Sequence, residues 1–183
     1  MHRKQLLSLI SSYRAIHPEE SDTVDRFVSF IEQHQDCFHR TLEKGHITGS
    51  AWLVNRDQTK VLLTHHRKLN KWLQLGGHAD GEADLLSVAM QEAREESGLD
   101  HIMPVHQEIF DLDIHCIPRR RKAEAHVHYD VRFALQAMSS KPFQISNESH
   151  DLAWADIKAL EGYVSETSML RMQRKWLMRN HPA

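Results

Sequence analysis

The sequence has little of what would narrow its class at once. Only two cysteines, Cys37 and Cys116, occur among 183 residues, too few for a disulfide framework and in keeping with reduced thiols. Apolar runs reach four or five residues at most, as at residues 51–54, against the roughly 20 that a membrane span needs. The basic start at His2, Arg3 and Lys4 is not followed by an apolar stretch of signal-peptide length, so the cytoplasm is the expected compartment. Neither sign of charge dominates, with 23 Lys and Arg against 25 Asp and Glu. No basic footprint for a nucleic acid follows from that balance, and no membrane partner.

What is present is ordinary for a globular chain of one domain, with 40% apolar and 26% charged residues. The exception is histidine, which occurs 15 times. Leu6, Leu9, Ile10 and Tyr13 fall at i, i+3, i+4, i+7, and so do Val24, Phe27, Val28 and Ile31, which predicts two amphipathic helices broken at His17-Pro18. Helices this short must bury their stripes on the rest of the chain or in a homodimer, and both remain open. From Gly45 the period changes. Strands are expected over 47–55 and 60–65, joined by a hairpin-like turn, and then over 105–117, 126–136 and around Ala153-Trp154. Gly76-Gly77 reads as a turn opening toward a helix over 84–97 that Gly98 stops, and a last helix over 165–179 carries Met169, Met172 and Trp176 on one face. Strands mixed with isolated helices suggest α+β or a three-layer α/β/α domain.

Glu92, Glu95 and Glu96 share a helix face at i, i+3 and i+4. At about 5 Å and an effective dielectric near 20, each pair of carboxylates repels by roughly 3 kcal/mol. A hard divalent cation, which prefers carboxylate oxygens, turns that repulsion into attraction. With Gly77, Gly98 and Leu99, the three glutamates occupy six of the nine specified positions of G-x5-E-x7-R-E-U-x-E-E-x-G-U. The stretch therefore resembles the Nudix box, the loop-helix-loop signature of hydrolases acting on nucleoside diphosphates linked to another moiety. Three positions depart from it. Ala83 stands where the first glutamate is expected, with Glu82 one residue early; Gln91 replaces the arginine, and Ala93 the larger aliphatic residue.

The resemblance covers residues of about 45 to 160. It implies a Nudix-like α/β/α sandwich with a mixed sheet over 45–183, preceded by a helical extension over 1–44. It further implies attack of water on a pyrophosphate of a small nucleotide-type substrate, with Gly77, Glu92, Glu95 and Glu96 holding Mg²⁺ or Mn²⁺. Glu148 stands six residues before Trp154, a spacing that looks like that of RNA 5′-pyrophosphohydrolases and makes Glu148 the candidate base or fourth ligand. A nucleotide-binding module without catalysis is the rival reading, kept open by Ala83 and Gln91.

Several further signals have a bland explanation beside the functional one. On alternating strands, Asp111, Asp113 and His115 share one face, as do His126, His128 and Asp130. If the strands pair, these residues form either a second metal site or a hydrated face of histidine–carboxylate pairs. Residues 65–68 and 119–122 are basic and suit phosphate contacts or solvated loops alike. Trp72 and Phe110 suit base stacking or the core.

Overall fold

The computed structural model describes residues 2–119, 124–139, 141–145 and 149–179. Glu148 and the basic positions 120–122 lie outside these. The chain divides into two compact units, Met1–Ser50 with Gly76–Ala89 and Gln107–Phe133, and Ala51–Leu75 with Met90–His106 and Ala134–Ala183.

In the first unit the two expected helices are α1 (Arg3–Ile16) and α2 (Ser21–Gln33), joined by one 3₁₀ turn at Pro18–Glu20 where the proline was expected to break the pattern. Their stripes are buried within the unit: Leu6, Ile10, Tyr13, Val24, Phe27 and Ile31 are at most 2% exposed. Phe30 stacks on Tyr129 with ring centroids 3.9 Å apart, and Phe27 meets the same ring edge-on at 5.3 Å. Burying one such side chain contributes about 1.5–3 kcal/mol, so α2 is held mainly by its apolar face. The Arg3 guanidinium donates to the carbonyls of Ile31 and Glu32, satisfying acceptors that the end of α2 leaves open. Residues 34–44, read with the helices, instead form turns around a buried Cys37 and Phe38.

Strand β1 (Gly45–Val54) is buried along its whole length and contributes to both units. In the first unit it pairs with β4 (Leu75–His78), while β6 (Asp111–Ile117) and β7 (His126–Ala137) form an antiparallel pair. Gly76 and Gly77 therefore belong to a strand, not to a turn. The turn follows, where Asp80 and Gly81 take φ of 49° and 95°. Close approach of backbones explains the change. A Cβ on Gly76 would sit 2.2 Å from Ser50 Oγ and 2.7 Å from Ser50 Cα. Gly76→Ala is accordingly expected to cost about 1–3 kcal/mol in a urea melt; a shift of only a few tenths would mean that β1 yields easily there.

In the second unit β2 (Lys60–His66) pairs antiparallel with β1 at Val54↔Val61, with β3 (Lys71–Leu73) and with β8 (Ser149–Asp156), where Leu62 faces Trp154. The β1–β2 turn is set by Asn55, whose Oδ1 accepts from the N–H groups of Thr59 and Lys60. β5 (Ile102–Pro104) pairs with the end of β7. The long strand expected over 105–117 is thus two short ones, because residues 106–109 leave the ladder between Val105 and Phe110, which still donate to the Ala134 and Arg132 carbonyls of β7. Helix α4 (Thr167–Arg179) buries Met169, Met172 and Trp176 as their spacing predicts.

Helix α3 (Leu85–Ser97) begins at Asp84, whose carboxylate accepts from the Ser87 N–H and, at 2.8 Å, from its hydroxyl. It ends at Gly98, in the left-handed region at φ 69°, with the Gly98 N–H donating to the Arg94 carbonyl at 2.8 Å. The architecture is a mixture of strands and helices with two helices at the N-terminus, as the sequence suggested.

Candidate functional site

Glu92, Glu95 and Glu96 all lie on the last two turns of α3, where the 3.6-residue period gives them a common face. Glu92 and Glu96 are half-buried and Glu95 is exposed. The helix macrodipole makes this end electronegative, which disfavours carboxylates beyond their mutual repulsion. Gln91, at the box arginine's position, donates from Nε2 to Glu95 Oε1 at 2.8 Å. An amide thus fixes one carboxylate there without supplying positive charge. Glu82 is exposed and accepts from the Asp84 N–H at 2.8 Å; its carboxylate braces the start of α3. Gly77 sits on β4 in the first unit, half-buried.

The strands β6 and β7 resolve the aspartate–histidine question in part. Their register places Asp111 opposite Arg132, Asp113 opposite Asp130 and His115 opposite His128. Arg132, which the sequence reading passed over, is the centre of this face. Its guanidinium reaches Asp130 at 2.7 Å, Asp111 at 3.1 Å and Asp113 at 3.2 Å, and is 2% exposed. Thr48 and Ser50 from β1 donate to Asp130 at 2.8 and 2.7 Å. Burial opposes the charge on Arg132, but the three carboxylates outweigh it and hold the guanidinium more firmly protonated than usual. The same contest at Asp130 ends with Arg132 holding its carboxyl below the ordinary range. The face is buried at Asp111, Asp130 and Arg132 and half-buried at Asp113 and the histidines, and its carboxylates are engaged with a guanidinium.

Of its histidines, His115 pairs with Asp113 at 3.0 Å, while His128 turns to other strands. His128 meets His46 of β1 and His78 of β4, and the three offer ligand nitrogens that all lie within 4.8 Å of one another. Ring centroids are 4.8 Å apart for His46 and His128, 5.0 Å for His46 and His78, and 5.3 Å for His78 and His128. His126 and His115 stand next to them, 5.1 and 5.4 Å from His128. Burial, with the neighbouring histidines, lowers His46 to about 4 and His128 to about 3, so both rings are neutral near pH 7. A second group, His17, Glu19 and Glu20, lies on the surface beside α1, where His17 pairs with Glu19 at 3.3 Å and Tyr13 donates to Glu20 at 2.5 Å.

Phe110 is core at 6% exposure. Trp72 is half-buried, stacked on His65 at 5.0 Å and met edge-on by Tyr163 at 5.8 Å. Arg67 donates to the Ser149 carbonyl and Arg119 pairs with Glu124 in solvent. Cys37 is buried, its thiol pushed up to about 11 chiefly by desolvation, and Cys116 is exposed. No described helix is long and apolar enough to cross a membrane.

The glutamate-bearing helix α3 follows the glycine-rich strand β4 in the chain, as the loop-helix-loop pattern of the sequence requires. The NUDIX domain model matches residues 45–177, and the chain belongs to that family. Its members as a class hydrolyse pyrophosphate bonds in nucleotide derivatives. No curated protein matches the sequence. Among solved structures the fold is similar to that of a MutT protein from Methanosarcina mazei Go1, at 15% identity and TM-score 0.56 over 76% of this chain and 98% of that one. It is also similar to the E. coli dihydroneopterin triphosphate pyrophosphohydrolase, at 14% and 0.55 over 73% and 95%. A C. elegans Ap4A hydrolase matches at 14% and 0.53 over 73% and 96%.

Proposed function

We propose that the protein is a Mg²⁺- or Mn²⁺-dependent pyrophosphohydrolase of small nucleotide-type substrates, working through Glu92, Glu95 and Glu96. The observation that carries this reading is the placement of the three glutamates at i, i+3 and i+4 at the C-terminal end of α3, at the spacing of the family's box. The donor set fits the group, since carboxylate oxygens are the ligands that hard divalent cations prefer. The three glutamates would hold it. Bound there, the cation supplies neutralisation of phosphate charge and a more acidic water. Gln91 steadies the Glu95 carboxylate from its neighbouring turn. Glu148, outside the described residues, is the candidate for taking the proton from the attacking water.

The test is product analysis by mass spectrometry on nucleoside triphosphates, nucleotide sugars, dinucleoside polyphosphates and RNA 5′-triphosphates. The last two compounds of the panel cover the substrate named for one structural neighbour and the RNA alternative. Cleavage that disappears in EDTA and returns with Mg²⁺ is the expected outcome. Binding of panel members with no product at any metal concentration would replace hydrolysis with a nucleotide-binding role.

A further inference from the structure

We propose that His46, His78 and His128 form a second metal site, selective for a borderline transition ion such as Zn²⁺ and chemically distinct from the glutamate site on α3. The three imidazoles come from three different strands of one compact unit, and their ligand nitrogens lie within 4.8 Å of one another. Three nitrogen donors, with a fourth position left for water or a further ligand, make a common zinc arrangement. Imidazole suits Zn²⁺, Cu²⁺ and Ni²⁺, whereas Mg²⁺ prefers oxygen.

Two further observations point to a cation. His46 is 3% exposed and neither of its ring nitrogens meets the geometry of a hydrogen bond among the described residues; the Leu42 backbone favours the charged ring, behind the opposing effects of burial, His78 and His126. Buried polar atoms without partners are rare in native proteins and call for an ion or a water. Leaving one so costs about 1–3 kcal/mol. The cluster also adjoins a buried face on which three carboxylates meet a single guanidinium. His115, whose Nδ1 lies 3.0 Å from Asp113 Oδ2, ties that face to the rings, because it stands beside His128 on the opposite strand. Three carboxylates against one guanidinium leave negative charge nearby to offset a bound cation, which neutral imidazoles can hold without themselves being protonated.

His78 lies on β4, so an ion held there would tie β4 to β1 and β7 within the first unit. The site itself does not depend on the hydrolase reading.

The experiment uses the full chain, stripped with a strong chelator and then loaded with Co²⁺ or Zn²⁺ in the presence of millimolar Mg²⁺. One Co²⁺ per chain with visible d–d absorption of a nitrogen-rich, four- or five-coordinate ion is expected, displaced by Zn²⁺. His128→Gln and the less buried His78→Asn should each weaken Zn²⁺ by at least about 100-fold and abolish the Co²⁺ spectrum. Glu96→Gln should leave both unchanged, and that control separates this site from the glutamates. Circular dichroism of each stripped variant checks its fold, and His78→Asn serves if His128→Gln unfolds. No retained ion in the native chain, or a Co²⁺ spectrum that survives His78→Asn or disappears in Glu96→Gln, overturns the proposal.

Discussion

Glu96→Gln is expected to lower kcat by about 10²–10³, or ~3–4 kcal/mol in the barrier, while leaving the metal-free protein slightly more stable. The two effects share one cause. Glu96 lies half-buried in the last turn of α3, four residues beyond Glu92 and next to Glu95. There its carboxylate meets both like charge and the negative end of the helix. Removing one charge relieves repulsion worth about 0.3–1 kcal/mol, and glutamine keeps the shape. The same removal takes a hard oxygen donor from the proposed cation. A residue that were merely structural would give the opposite pattern, with stability lost and turnover proportionally kept. Steady-state kinetics at saturating Mg²⁺ and urea melts in EDTA distinguish them. Retention of more than about a tenth of the wild-type kcat would remove Glu96 from the metal's ligands.

Arg132→Met should be the most destabilising single change in the first unit, by about 3–5 kcal/mol. The guanidinium is 2% exposed and holds Asp111, Asp113 and Asp130 at 2.7 to 3.2 Å. Methionine fills much of the volume, so little of the loss comes from a cavity. It comes from leaving three carboxylates facing one another with little water. Those carboxyls would respond by taking up protons, and the variant's stability should recover as pH falls toward 4–5. The sign follows from Asp130, whose pKa in the native protein is held down by Arg132. Without that partner the folded value rises above the unfolded one, so stability is gained on acidification and lost as pH rises. Urea melts between pH 4 and 8 measure this. A loss under 1 kcal/mol at every pH would show that the carboxylates find other partners.

Much of the local structure was legible in the sequence because it depends on near neighbours. The stripes of α1 and α2, the Gly98 stop of α3 and the buried face of α4 follow from spacings within a single helix. The three glutamates belong to the same category, and their arrangement needed only the helical period. Arg132 and the histidine cluster were not legible for the complementary reason. Arg132 finds Asp111 across a strand pair, while His46, His78 and His128 converge from segments 32 and 50 residues apart. Period-two alternation said which residues share a face, but only the β6–β7 register decides that Arg132 meets Asp111 and His128 meets His115. One signal was available: His78 directly follows two glycines whose lack of side chains lets strands approach closely. It was read as a turn because paired glycines more often mark turns than a tightly packed strand.

The β6–β7 ladder carries alternating chemistry along one face: His126 and His128, then Asp130, then Arg132, set against Ile117, His115, Asp113 and Asp111. Sliding one strand by a single residue would turn every one of these side chains to the opposite face, placing Leu112 and Ile114 among the charges. Sliding by two would keep the faces but bring Arg132 opposite Asp113 or Ile109, and His128 opposite Asp113 or Ile117. The hairpin therefore has one alignment in which guanidinium, carboxylates and imidazoles all meet their counterparts. Alignment is encoded in the strands themselves.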